Sequence, residues 1–253
     1  MYILAIETTG PFGSVALVSE EENNSVVRGE MTSADEMNHL KDLLPMVQRL
    51  LDAAGTEKSA LTHIAVSAGP GSFTGIRIGV STARALGQAL GIPCVSVPTL
   101  DGFLYKDDVR MGHEDAVVAG ILNARRGQVY GIVDGYLEGC PCMLTDVLDI
   151  IRGEVKAAGR PVVFYGDGID AYEERILTEL GEAGMELGRD YFFAPRQVRY
   201  QNAAAVARLA YEKVKAGQVL HYNDLHPQYM RKAEAEEKLA AGQLPICRLP
   251  KQE

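Results

Sequence analysis

Short apolar runs open the chain, and their length and β-rich composition are typical of buried β-strands. The runs YILAIET (2–8) and SVALVS (14–19) are rich in apolar residues, and a turn containing glycine and proline at residues 10–13 separates them. This arrangement predicts a β-hairpin, and SVVRGEM (25–31) predicts a third strand beside it.

The period changes to that of a helix between residues 33 and 55. Ser33 and Glu36 have the spacing of a capping box, and Gly55 supplies the stop. Pro45 removes a hydrogen bond inside this helix and is expected to bend it. The apolar side chains predicted to share one helical face are Leu40, Leu43, Leu44, Val47, Leu50, Leu51 and Ala54.

The next segments complete a unit of the α/β class. HIAVSAG (63–69) predicts a buried strand, residues 74–91 predict a helix, and IPCVSVP (92–98) predicts another strand. Three strands, a helix, a strand, a helix and a strand indicate a mixed sheet with flanking helices.

The second half of the chain loosely repeats this order. Residues 116–124 and 127–137 predict a strand pair, and the following segments predict a helix, a strand and two further helices, of which the last covers residues 203–217. A polar segment after Leu104 predicts a boundary there. We therefore expect an N-terminal lobe at 1–104, a smaller lobe at 105–221 and a C-terminal segment at 222–253.

Composition narrows the range of functions. The formal net charge is -9, so the chain alone is a poor match for nucleic acid, whose binding depends on Lys and Arg. The N-terminus has no basic region before its apolar stretch, no apolar run approaches the length of a membrane span, and the four cysteines have no zinc or disulfide spacing. These features predict a cytoplasmic protein.

The stretch AGPGSFTGIRIG (68–79) is neither a Walker motif nor a dinucleotide fingerprint. It is either an anion-binding loop at a helix start or a tight strand-to-helix turn with Ser72 as the helix cap. The helix after it carries a small residue at every fourth position, at Gly75, Gly79, Ala83, Gly87 and Gly91. Because glycine inside a helix costs about 1 kcal/mol relative to alanine, another backbone is expected to approach this ridge closely. That neighbour is either the protein's own sheet or a helix of a partner.

Six motifs in order resemble the TsaB (YeaZ) family of bacterial threonylcarbamoyladenosine biosynthesis proteins. They are ILAIETTGPFGSVAL, NHLKDLLPMV, AGPGSFTGIRIG, VPTLDGF, NARRGQVYG and PQYMR, and they span residues 3 to 231. The resemblance implies two ribonuclease-H-like, actin-like ATPase lobes, each a mixed sheet with flanking helices, the second lobe reduced.

The catalytic paralogue of this family, TsaD, has a His-x-x-x-His metal pair just after the strand that corresponds to PCVSVP. Thr99 and Phe103 stand in those places here, and phenylalanine cannot bind a metal. The resemblance therefore implies no metal, no cofactor and no catalytic residues in this chain.

The resemblance and the glycine ridge together predict a partner interface. Two helices from each protein would form a four-helix contact with TsaD, and the same surface would form a homodimer when TsaD is missing. The residues assigned to this interface are His39, Leu43, Met46, Gly75, Arg77, Gly79 and Ala83.

ATPases of this superfamily bind Mg-ATP with an acidic residue in the first hairpin and glycine turns in the second domain. Glu7, Thr8 and Thr9 occupy the first place, and Gly166, Asp167 and Gly168 occupy the second. They are either vestigial nucleotide contacts or, in the case of Asp167, a turn residue and helix cap.

The leading hypothesis is a non-catalytic scaffold. It would bind TsaD, support the ATPase subunit TsaE, and meet tRNA only through the complex that installs the threonylcarbamoyl group next to the anticodon of ANN-decoding tRNAs. The alternatives are a small-molecule kinase or ATPase of the same superfamily and a metallopeptidase, although neither His-x-x-x-His nor HExxH is present.

Overall fold

The computed structural model describes residues 1–34 and 39–230, and for residues 39 and 40 it describes the backbone alone. The expected cap residue Glu36 and the tail after Leu239 lie outside the described residues.

The first sheet contains the three predicted N-terminal strands and the two that follow. Its strands are β1 (Tyr2–Glu7), β2 (Ser14–Glu21), β3 (Asn24–Thr32), β4 (His63–Gly69) and β5 (Cys94–Pro98). They lie in the order β3-β2-β1-β4-β5. The first three pair antiparallel, whereas β1, β4 and β5 run parallel. The predicted mixed sheet is confirmed.

Helices cover both faces of this sheet. On one face, α1 (His39–Ala53), which contains Pro45, and α2 (Phe73–Leu90) share a core with apolar residues of β1, β2 and β4. On the other face, α7 (Ala203–Lys215) packs against alternate residues of the same strands. Because successive strand residues point to opposite sides, nearly continuous apolar strands such as β1 can face two helical layers at once.

The second sheet repeats the topology of the first. Its strands are β6 (Val117–Asn123), β7 (Gln128–Val133), β8 (Leu137–Met143), β9 (Val162–Tyr165) and β10 (Tyr191–Phe193), in the order β10-β9-β6-β7-β8. Each sheet has five strands, and the two together form the actin-like, ribonuclease-H-like fold that we expected. Strands β8 and β10 were not predicted.

The remaining helices differ between the lobes. One face of the second sheet carries α4 (Leu144–Ile150), a π-helical turn (Ile151–Val155) and α5 (Gly168–Glu182). The other face is covered by α3 (Thr99–Gly102), a 3-10 turn (Phe103–Tyr105) and the chain that follows. The short helix α6 (Arg196–Arg199) precedes α7, and two 3-10 turns cover Lys58–Ala60 and Tyr222–Asp224.

The position of α7 corrects the expected lobe composition. We assigned residues 105–221 to the second lobe, but α7 lies on the first sheet, in contact with Ile3, Ala16 and Val95. The chain therefore crosses between the sheets twice, once near 99–116 and once near 194–203. After α7 it stays with the first lobe, where Leu220 pairs with Cys94 and Leu225 is fully buried. The boundary after Leu104 remains a prediction.

Candidate functional site

The glycine loop makes close internal contacts where it leaves β4. A Cβ atom at Gly69 would lie 2.3 Å from the carbonyl oxygen of Gln228, and one at Gly71 would lie 2.6 Å from that of Thr9. Both glycines have positive φ, which other residues rarely adopt. Ser72 then caps α2 by accepting a hydrogen bond from the Gly75 N–H at 3.3 Å. The spacing of these glycines follows from the protein's own packing.

The glycine ridge of α2 faces the protein's own sheet, and the expectation that it faces a partner is wrong. A Cβ at Gly75 would lie 1.9 Å from the carbonyl oxygen of Thr8, and one at Gly79 would lie 2.4 Å from Thr8 Oγ1. Ala83 is fully buried in the same core. The Thr8 hydroxyl donates a 2.7 Å hydrogen bond to the Gly75 carbonyl, which joins the helix to the end of β1.

Two residues of α1 that were predicted to bind a partner lie on its buried face. Leu43 and Met46 are buried in the core of the first lobe, so they cannot form a partner contact in this structure. The side chain of His39 lies outside the described residues. Leu44, between the two buried positions, is 57 % exposed. Exposed apolar surface on the α1–α2 layer therefore lies on its outer side.

Arg77, the remaining predicted interface residue, is exposed on α2 and contacts the C-terminal segment. Its Nε donates a hydrogen bond to Tyr229 Oη at 2.9 Å, and its guanidinium lies 4.8 Å from the centre of the Phe73 ring. The rings of Phe73 and Tyr229 are stacked with centroids 4.2 Å apart. Nothing in the helical pattern of α2 signals this contact, because Tyr229 is 152 residues away.

Glu7 lies under the β1–β2 turn as a fully buried carboxyl group. It accepts hydrogen bonds from the backbone and the hydroxyl of Thr9 and from the Ser67 hydroxyl. Burial raises the pKa of Glu7 above its usual value, and these hydrogen bonds oppose the shift. The buried side chain has its described partners inside the protein and does not line the large cleft described below.

The turn at Gly166–Gly168 packs against β6. A Cβ at Gly166 would lie 2.1 Å from the Ile121 carbonyl oxygen, and one at Gly168 would lie 2.8 Å from it. Asp167 accepts a 3.0 Å hydrogen bond from the backbone N–H of Asn123, and burial raises its pKa above the usual range. Asp167 is therefore held as a turn residue at the start of α5.

A cleft of about 570 Å³ brings two of the predicted nucleotide contacts together. Thr9 lines it from the first lobe and Asp167 from the second. The lining of this cleft does not include the other predicted nucleotide contacts, which are Glu7, Thr8, Gly166 and Gly168. Gln201, which sequence reasoning missed, lines the cleft from the second crossing between the sheets, and no local pattern distinguishes it from an ordinary polar residue.

Thr99 and Phe103, the two positions that we compared with the metal-binding histidine pair of TsaD, are both buried. Thr99 begins α3 and is 2 % exposed, and Phe103, 1 % exposed, packs beside Gly120 and the Tyr165 ring. Among the residues that the structure describes, no group of three or more His, Cys, Asp or Glu side chains is placed to hold a metal ion. Within the same residues, none of the helices combines the length and the apolar character that a membrane crossing requires.

The fold and these sites define a two-lobed protein of the actin-like, ribonuclease-H-like class. In this chain Phe103 stands at one of the two positions that we compared with the metal-binding histidines of TsaD. Residues 27–239 match the family model described as TsaD, tRNA N6-adenosine threonylcarbamoyltransferase. The tRNA threonylcarbamoyladenosine biosynthesis protein TsaB of Bacillus subtilis is 32% identical over 251 residues, which cover 96% of this chain and 100% of that protein.

Two further comparisons agree with this one. The Escherichia coli protein of the same name is 36% identical over 130 residues, or 51% of this chain and 53% of that protein. The solved structure of YeaZ from Pseudomonas aeruginosa has a TM-score of 0.67 and 27% identity, covering 90% of this chain and 99% of that one. The chain belongs to the TsaB (YeaZ) family of tRNA threonylcarbamoyladenosine biosynthesis proteins, within the wider group whose family model is named for the transferase.

Proposed function

We propose that this chain is a non-catalytic subunit that binds TsaD and supports the action of TsaE in threonylcarbamoyl transfer to the adenosine next to the anticodon of ANN-decoding tRNAs. The observation that carries the proposal is the pair Thr99 and Phe103. The hydroxyl of Thr99 and the ring of Phe103 are packed inside the protein, where neither can supply the imidazole ligands of the paralogue.

The charge of the chain supports a role in which tRNA is met only through the complex. A net charge of -9 opposes the approach of a phosphate backbone. The basic surface for tRNA would then come largely from the partners. Isolated chain is expected to bind tRNA no more tightly than the 10⁻⁴ to 10⁻⁶ M typical of nonspecific contacts.

The partner surface consists of the outer faces of α1 and α2. Their inner faces are used by the core, but Leu44 and Arg77 point away from it. Leu44 supplies exposed apolar area, and Arg77 supplies a cation held by Tyr229. Apolar and arginine side chains are common anchors of protein interfaces. Without TsaD, the same layer would pair with a second copy of the chain.

Leu44→Asp tests this assignment. Placing a charge on the proposed contact should weaken TsaD binding at least tenfold in calorimetry and abolish tRNA modification when the variant is the only copy. Leu187→Asp is the matched control, because Leu187 is 52 % exposed but follows α5 in the second lobe. Wild-type TsaD affinity of a folded Leu44→Asp variant would refute the interface.

A small-molecule kinase or ATPase remains the second candidate, because Thr9 and Asp167 share one cleft. That activity requires ATP turnover by the isolated chain, and it should fall when Asp167 is replaced by Asn. The scaffold proposal expects no turnover by the chain alone.

A further inference from the structure

Two buried polar side chains without partners line one small cavity. Thr99 Oγ1 and Gln201 Oε1 make no hydrogen bond with any residue that the structure describes. Both residues line a cavity of about 10 Å³ whose other polar walls include Glu7 and Lys106. A buried polar group without a partner costs roughly 1–3 kcal/mol, so a bound group that reached both atoms would stabilise the fold. We propose that this cavity is the binding site of a single water molecule.

The size of the cavity selects water over larger ligands. A volume of about 10 Å³ is near the lower limit for one water molecule, roughly 10–15 Å³ on the same kind of measure. An organic molecule or a phosphate group does not fit. A cation is disfavoured because the ammonium group of Lys106 at the wall already offsets the charge of the Glu7 carboxyl group.

The hydrogen-bonding groups around the cavity match those of water. Lys106 Nζ donates to the Tyr200 carbonyl at 2.6 Å and to Asn202 Oδ1 at 3.0 Å. An ammonium group has three N–H donors, so one is left for the water oxygen. Gln201 Oε1 needs a donor, and the hydroxyl of Thr99 can donate or accept. One water molecule can satisfy all three groups.

The location of this water gives it a role in the fold. Glu7 ends β1, Thr99 begins α3, Lys106 lies on the first crossing between the sheets and Gln201 lies on the second. The water therefore links both crossings to the first sheet. Lys106 supports the same connection, because its two hydrogen bonds join one crossing to the other.

The test uses the full chain and the variants Thr99→Val and Gln201→Met, with Thr99→Ser as the control that keeps the hydroxyl. High-resolution crystal structures should show one water within hydrogen-bond distance of Thr99 Oγ1 and Gln201 Oε1 in the wild type and of the serine hydroxyl in Thr99→Ser. The water should be absent from the Thr99→Val/Gln201→Met double variant.

Urea unfolding supplies a second readout that does not depend on crystals. Each single variant should lower the folding equilibrium constant about tenfold, because each leaves the water and the remaining group with one partner fewer. In the double variant, the fold-decrease in the folding equilibrium constant should be several-fold smaller than the product of the two single-variant decreases, because both partners of the water are removed together. A dry cavity in the wild type, a peak with cation-ligand distances or strictly additive variants would each overturn the proposal.

Discussion

Adding one methyl group at Gly75 should destabilise the folded chain, because the space beside this residue is filled by the backbone of Thr8. The new Cβ atom would lie 1.9 Å from the Thr8 carbonyl oxygen, whereas ordinary contacts begin near 3.4 Å. A carbonyl at the end of a central strand cannot rotate away as a flexible side chain can. The helix α2 and the turn after β1 must therefore separate by about 1.5 Å.

Three contributions set the size of the effect. Overpacking of this kind costs about 1–3 kcal/mol, and the separation also removes the hydrogen bond from the Thr8 hydroxyl to the Gly75 carbonyl, which is worth about 1 kcal/mol. Alanine returns about 1 kcal/mol through its higher helix propensity. The expected net loss in the free energy of unfolding is about 2 kcal/mol.

Gly181→Ala is the matched control for Gly75→Ala. Gly181 also lies in a helix, α5, but no atom stands within 4 Å of its would-be Cβ. This variant should be up to about 1 kcal/mol more stable than the wild type. Urea titrations measure the difference between the free energies of unfolding of the two variants, provided that their m-values are equal. A Gly75→Ala variant as stable as Gly181→Ala would refute the assignment of the glycine ridge to internal packing.

Three further perturbations follow from the described contacts. Burial lowers the pKa of Lys106 from 10.5 to about 8, so between these values the unfolded chain binds a proton that the folded chain does not. Lys106 therefore makes the free energy of unfolding rise with pH in this window, and Lys106→Met should remove that rise in urea titrations from pH 8 to 10. Burial raises the pKa of the Cys94 thiol to about 11 and that of the Cys142 thiol to about 12. Site-resolved mass spectrometry should therefore show slow alkylation of both thiols at pH 8, and rapid alkylation of the folded chain would contradict this. Tyr229→Ala should cost about 1 kcal/mol by removing the stack on Phe73, whereas Tyr229→Phe keeps the ring and should cost much less in the same unfolding assay.

The sequence predicted the elements that have a continuous apolar run or a regular helical period. The short apolar runs of β1 and β2 and the helical stripe of α1 are local signals, and the structure has these elements at nearly the expected positions. Strand β8 reads LEGCPCM and is only half-buried, so it has neither a continuous apolar run nor a clean alternation. Strand β10 has three residues, which is too short for any period to show.

The direction in which an element faces could not be predicted in the same way. A glycine at every fourth position places Gly75 and Gly79 on one side of α2, and this correctly indicates a close neighbour. It does not say whether that neighbour is Thr8 or another protein. The apolar stripe on α7 is ambiguous in the same way, because the sequence does not say on which of the two sheets it packs. Thr9 and Asp167 line one cleft, and the loose repeat in the sequence gives no distance from which this could have been predicted.

The buried glycine ridge also bears on the proposed partner surface, although the ridge itself packs inside the protein. Gly75 and Gly79 seat α2 on the end of β1 with almost no space between them, so the outer side of the helix, including Arg77, is held in one position. A docking surface that is rigid before binding loses little conformational entropy when a partner arrives. If the outer face of α2 binds TsaD as proposed, a substitution such as Gly79→Leu would weaken that binding by displacing the whole helix, although Gly79 itself packs inside the protein. Loss of binding in that variant cannot locate the interface, whereas loss in the exposed Leu44→Asp variant, with its folding intact, can.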